Sequence, residues 1–207
     1  MLISLMVAVL LSFSYRILER LIGLWSPKQT RYTVYYWGIL LMAASFFFQN
    51  NYIFHTPHHI IKALPVFLVV LAVNVVISRN SGYRPEGTFH RLNFMITYPV
   101  LEEIAFRGLV LPLLVQVPLL GESYQFLYVT EISLAVLLTA FLFAVSHLQY
   151  YRLNRQSMIF MAYAFSGGLF LGIIAQFTES ILLTLPLHIT FNATAVYYAS
   201  RTVSAGA

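Results

Sequence analysis

The feature that most constrains this chain is its succession of long apolar stretches, separated by short segments that hold most of the charge. A membrane-spanning helix needs roughly 20 mainly apolar residues, with a range of about 17 to 25. Seven stretches approach that requirement: Met1 to Tyr15, Thr33 to Phe48, Ile60 to Ile77, Leu92 to Leu120, Glu131 to Val145, Met158 to Ala175 and Ile181 to Ala199. Hydrophobic residues make up 59% of the chain and charged residues 9%, whereas a soluble domain carries roughly 25% charged residues. A soluble fold of this size still exposes about a third of its unfolded surface, too much to leave such a composition in water. The expected fold class is all-α: a polytopic membrane helical bundle of about seven transmembrane helices, built as a single membrane domain over residues 1–207.

Lys and Arg gather in cytoplasmic loops, which gives the bundle a direction. The first loop holds Arg16, Arg20, Lys28 and Arg31, the third Arg79, Arg84 and Arg91, the fifth Arg152 and Arg155, and the C-terminus Arg201. The second loop has only Lys62, and the fourth and sixth carry Glu122, Glu131 and Glu179 instead. This pattern predicts an integral, multi-pass protein with its N-terminus outside and its C-terminus cytoplasmic. The first stretch lacks the basic n-region and small-residue cleavage site of a signal peptide, so a retained helix is expected. The fourth stretch is too long for one straight crossing and holds Pro99, Pro112 and Pro118, which predicts a tilt, kink or break.

Cysteine is absent, which removes disulfide frameworks, thiolate nucleophiles and zinc–thiolate sites together. The net charge of +5 does not point to nucleic acid, because the basic residues punctuate apolar runs rather than forming one face of a soluble module. Membrane lipid is therefore an expected partner, and nucleic acid is not.

Charge at the bilayer centre costs about 2.5 to 3.5 kcal/mol on insertion scales, so intramembrane ionisable residues are functional candidates. One stretch contains Glu102, Glu103 and Arg107. Glu103 and Arg107 are four apart, in the favoured acid-before-base order, and can pair on one face. Glu102 lies about 100° around the helix, without that counter-ion, and is the better general base. Two later stretches add Phe143 with His147, and His188 with Asn192, each pair on one helix face. Either histidine alone reads as a hydrogen-bonded bundle residue. Together with Glu102 they supply a base, imidazoles to share the proton and an amide donor for an oxyanion.

The remaining candidates read as architecture. His55, His58 and His59 cluster in the second loop, His90 lies at the interface, and Gly167, Gly168 and Gly172 suit close helix contact. The zincin H-E-x-x-H motif and a Gly-x-Ser-x-Gly elbow are missing, and the absence of aspartate excludes a paired-aspartate protease.

The segments Glu102 to Gly108, Phe143 to His147 and His188 to Asn192 resemble, in order and separation, the E-E-x-x-x-R, F-x-x-x-H and H-x-x-x-N motifs of the CPBP family. That family comprises type II CAAX prenyl endopeptidases and bacteriocin-processing relatives, also called the ABI family, and the resemblance covers about residues 99–199. It implies a glutamic-type, or alternatively metallo-, intramembrane protease, and with it a peptide or protein substrate that is membrane-associated or prenylated. Glu102 and His147 would activate water, His188 and Asn192 would stabilise the oxyanion, and Glu103, Arg107 and Phe143 would give structural support. No cofactor is expected. Zinc is the alternative, with Glu102, His147 and His188 as ligands, although no carboxylate suited to orienting the imidazoles is evident in the sequence. A non-catalytic membrane scaffold and a proton-coupled transporter are the competing functions, the latter without the paired repeats that transporters usually carry.

Overall fold

A computed structural model of the chain describes residues 2–81, 85–126 and 130–204. Met1 and Arg84, which entered the span and charge patterns, lie outside the described residues. Seven helices dominate: α1 (Leu2–Trp25), α2 (Thr33–Ser45), α3 (Ile60–Ile77), α4 (88–115), α5 (Leu134–Ser146), α6 (Arg155–Thr178) and α7 (Thr184–Ser204). Three of them, α1, α3 and α6, are long and apolar enough to cross a membrane. Large apolar side chains cover the outside, among them Met6 and Leu10 on α1, Ile61 and Val69 on α3, and Phe141 on α5. So much exposed hydrocarbon marks a surface made for contact with apolar surroundings.

Several helix boundaries are set by local chemistry rather than by hydropathy. α1 does not stop at Tyr15 but runs on to Trp25, so Arg16 and Arg20 are helical, with Arg16 paired to Glu19 one turn on. Pro27, opening a short 3-10 turn (Pro27–Tyr32), follows its end. α6 begins at Arg155 because Asn154 and Ser157 form a reciprocal cap: Asn154 Oδ1 accepts from Ser157 N and Ser157 Oγ accepts from Asn154 N, both at 2.8 Å. Arg155 and Arg201 therefore belong to helices rather than to loops. The span expected from Glu131 starts later, at Leu134, where Ser133 Oγ accepts from Val136 N. Glu131 itself lies in an antiparallel hairpin, Ser123–Phe126 with Thr130–Ser133, in the register Gln125 opposite Glu131. The hydropathy pattern did not anticipate this hairpin.

Helix α4 is the axis of the molecule. It is continuous, with two wide π-helical stretches, Asn93–Thr97 and Glu103–Val110, between α-helical turns. Prolines explain both. Pro99 and Pro112 lack the N–H that would bond the carbonyl four residues back, and the chain responds with i→i+5 bonds, from Tyr98 N to Asn93 O and from Leu111 N to Phe106 O. The carbonyl of Gly108, four residues before Pro112, accepts instead from Tyr52 N at 3.0 Å. Gly108 has to be glycine for this approach, because a Cβ there would lie 2.5 Å from Ile53 Cγ1. The helix thus absorbs Pro99 and Pro112 without breaking, and Pro118 lies beyond its end. Every residue from Glu103 to Leu111 is buried, with α1, α5, α6 and α7 among its neighbours.

Candidate active site

The second π-helical stretch of α4 begins at the acidic pair. Glu103 and Arg107 are wholly buried, and Arg107 Nη1 donates to Glu103 Oε1 at 2.9 Å. The same carboxylate oxygen accepts a second hydrogen bond, from His188 Nδ1 on α7, at 2.8 Å. An ionised carboxylate only accepts, so this contact fixes the proton on Nδ1 of His188. The other nitrogen, Nε2, then faces Glu102 Oε2 at 3.6 Å. Arg107, Glu103, His188 and Glu102 form one line of ionisable side chains across two helices. Exposure separates the two acids: the Glu103 side chain is 0% exposed and that of Glu102 17%. Glu103 is sealed into the line, whereas Glu102 stands at its accessible end.

The orienting carboxylate that the sequence did not reveal is therefore Glu103, which braces Arg107 and aims His188 with one oxygen. Its partner lies 85 residues away, beyond the reach of any spacing rule.

Phe143 is the hub of the cluster. The Arg107 guanidinium lies 4.4 Å from the centre of its ring, and the rings of Phe106, His147 and His188 meet it edge-on at 5.0, 5.0 and 5.9 Å. Among the described residues, Arg107 Nε and Nη2 and Glu103 Oε2 have no hydrogen-bond partner. The face of Phe143 supplies the guanidinium with a cation–π contact on that side. His147 closes α5, and its Nδ1 donates to the Phe143 carbonyl at 2.8 Å, leaving Nε2 for chemistry. Asn192, one turn beyond His188, is nine-tenths buried, and one of its amide hydrogens goes to the Phe94 carbonyl at 2.8 Å. The structure thus gathers Glu102, Glu103, Arg107, Phe143, His147 and His188, while Asn192 is anchored to the first π-helical stretch of α4.

Among the described residues no three His, Asp or Glu side chains converge as a metal site, so Glu102, His147 and His188 as they stand do not make a three-ligand set.

Three further residues position the site. Asn74, the one amide in the apolar run of α3, donates to the carbonyl of Leu187, directly before His188, at 3.0 Å. A lone Asn in such a run is the signal by which it could have been found. Gln149, two residues past His147, lays its amide along one rung of α1: Nε2 donates to Ser12 O at 3.1 Å and Oε1 accepts from Arg16 N at 3.2 Å. Gly168 on α6 lets that helix close over the cluster. A Cβ there would meet Arg107 Nη2 at 3.1 Å and Phe143 Cδ1 at 3.2 Å. Gly172 packs on Val136 in the same way, but Gly167 faces open space and makes no close helix contact. Gly168→Ala is expected to destabilise the protein by about 1 to 3 kcal/mol, while Gly167→Ala is neutral or stabilising. Thermal unfolding in detergent reads both, and equal melting of the two variants would remove the packing role of Gly168.

The outer histidines stay apart from this cluster. His58 lies 3.6 Å from Glu179, His59 packs on the Phe177 ring, and His90 is exposed.

Comparison with known proteins gives one family: the model described as type II CAAX prenyl endopeptidase Rce1-like matches residues 85–194. No curated protein and no solved structure matches the chain. The matched segment contains α4 through His188 and Asn192, every residue of the cluster included, and it names a protease and hence a peptide or protein substrate. Since the match spans more than half of the chain, this membrane-embedded helical protein belongs to the type II CAAX prenyl endopeptidase Rce1-like family.

Proposed function

We propose that the protein is an intramembrane endopeptidase that hydrolyses a peptide bond in a membrane-associated, prenylated substrate, with Glu102 as general base and without a metal. The observation that carries this reading is the line from Arg107 through Glu103 and His188 to Glu102, in which one carboxylate is sealed and the other accessible. Glu102 takes a proton from a water whose oxygen attacks the scissile carbonyl, and His147, through Nε2, shares that proton. Charge that develops on the carbonyl oxygen is met by His188, held in place through Nδ1 by Glu103, and by the second amide hydrogen of Asn192. Collapse of the intermediate breaks the C–N bond, and the proton held by Glu102 passes to the leaving nitrogen.

All seven helices are proposed to lie in the membrane, with the N-terminus outside and the C-terminus cytoplasmic, so that ten of the twelve Lys and Arg residues are cytoplasmic. Comparing peptide termini in membranes from cells making the wild type and Glu102→Gln at matched levels tests the activity. A new terminus found only with the wild type is expected, and its absence with substrate present and protein folded would refute hydrolysis. Metal independence has its own test: activity is expected to survive exhaustive chelation. Stoichiometric zinc in the purified protein, lost together with activity in His147→Ala, would overturn it.

A further inference from the structure

One cavity lies outside the chemistry described so far. Between α1 and the turn that follows α5 there is a space of about 740 Å³, within the usual range of about 300 to 1,000 Å³ for small-molecule sites. Ile17, Val145 and Leu148 form an apolar part of its wall, and three arginines, Arg16, Arg20 and Arg152, line it as well. Three arginines assigned to the same side of the membrane are engaged with aromatic rings elsewhere. Arg31 lies over the Tyr32 ring at 4.5 Å, Arg79 over Tyr198 at 5.1 Å, and Arg201 over Tyr197 at 4.6 Å. Arg16 is paired with Glu19. Among the described residues, Arg20 and Arg152 have neither a carboxylate nor a ring as partner, yet both line this one cavity.

Unmatched cations over an apolar wall call for a ligand with an anionic head and a hydrocarbon tail. The route for the tail is also present. Met6, Leu10, Phe13 and Ile17 recur at helical spacing along one face of α1, with Met6, Leu10 and Ile17 exposed. This stripe leads from the cavity toward the N-terminal end of the helix, while Leu24 and Trp25, largely exposed, mark the opposite end, where tryptophan suits the membrane–water boundary.

We propose that this cavity binds an anionic phospholipid, its phosphodiester held by Arg20 and Arg152 and its acyl chains lying along the Met6–Ile17 face of α1. The inference rests on the membrane reading and is independent of the proteolytic one. On the proposed orientation the basic rim lies in the cytoplasmic leaflet, where anionic lipids collect and basic pockets between helices bind their headgroups. The cavity wall also includes Gln149, whose amide ties the turn carrying His147 to α1. A lipid seated there bears on both elements that Gln149 joins.

The test uses the purified full chain in detergent, with native mass spectrometry of lipid retention. Phosphatidylglycerol and phosphatidylcholine of identical acyl chains are added separately. One phosphatidylglycerol is expected to remain bound under conditions that strip phosphatidylcholine. Each basic residue near an anionic surface contributes measurably, so the double variant Arg20→Gln with Arg152→Gln should weaken that retention at least about tenfold. The control, Arg79→Gln with Arg201→Gln, removes the same charge at exposed positions elsewhere and should leave retention unchanged. Melting curves establish that both variants remain folded. Equal retention of the two lipids, or equal loss in the two double variants, would overturn the site. Glycerol 3-phosphate alone is expected not to displace the lipid, and displacement at matched concentration would make the cavity an anion site without a lipid.

Discussion

Replacing Glu102 with Gln is expected to slow hydrolysis of a prenylated peptide by about 10²- to 10⁴-fold, the usual contribution of a positioned general base. At about 1.4 kcal/mol per factor of ten, that is a barrier increase of about 3 to 5 kcal/mol. The substitution keeps the size of the side chain and removes only its ability to take a proton. Folding should be preserved, because Glu102 is partly exposed and the buried pairing of Arg107 is made by Glu103. Rates and melting curves of the purified protein separate the two effects. Glu103→Gln makes a useful contrast, since it strips the counter-charge from both Arg107 and His188 and should lower stability along with rate. A Glu102→Gln protein that hydrolyses within a few-fold of wild type would move the base elsewhere.

The second large effect is expected for Arg107→Ala. Removing one member of a buried ion pair leaves the other charge uncompensated, at about 3 to 5 kcal/mol. Here Glu103 would be left at 0% exposure, with its hydrogen bond to His188 as the remaining charge-assisted contact on Oε1. The guanidinium also fills the space between Phe143 and Gly168, so the variant leaves a void as well as a charge. Reduced accumulation in the membrane and a lower melting temperature should accompany lost activity. Arg107→Lys should fall between, because it restores charge without the planar group that covers the Phe143 ring. Equal expression and melting of Arg107→Ala and the wild type would contradict the bracing role.

The sequence made the long-period features readable and concealed the ones settled by single contacts. The expected span Ile60 to Ile77 coincides with α3, because Lys62 and Asn74 are too few to interrupt the hydropathy of an otherwise apolar run, and Lys62 is accordingly helical rather than in a loop. α1 was cut short at Tyr15 because hydropathy penalises Arg16, Glu19 and Arg20, whereas a helix continues through charges that pair along its side. The Asn154–Ser157 cap moved the start of α6 in the same way. Within the cluster, the Glu103–Arg107 pair follows from spacing along one helix, but the bond from His188 to Glu103 joins α7 to α4 and has no local signature. The π-helical stretches were foreshadowed only as a kink, since Pro99 and Pro112 announce a missing hydrogen bond without saying how the backbone will compensate.

The Gln149 clamp sets the border of what could be exchanged between relatives. Likeness to the family begins at residue 85, but the turn carrying His147 is tied to the backbone of Ser12 and Arg16, far upstream of that point. Both anchoring groups are main-chain atoms, so α1 can change its side chains and still hold the turn, provided it keeps its helix and its place. A chimera that joined residues 85–194 to a foreign first helix would retain each motif residue, yet its His147 would be only as well aimed as the new helix allows. Divergence in the first third of the chain is compatible with a common site for that reason, and interchangeable parts should be cut to include α1.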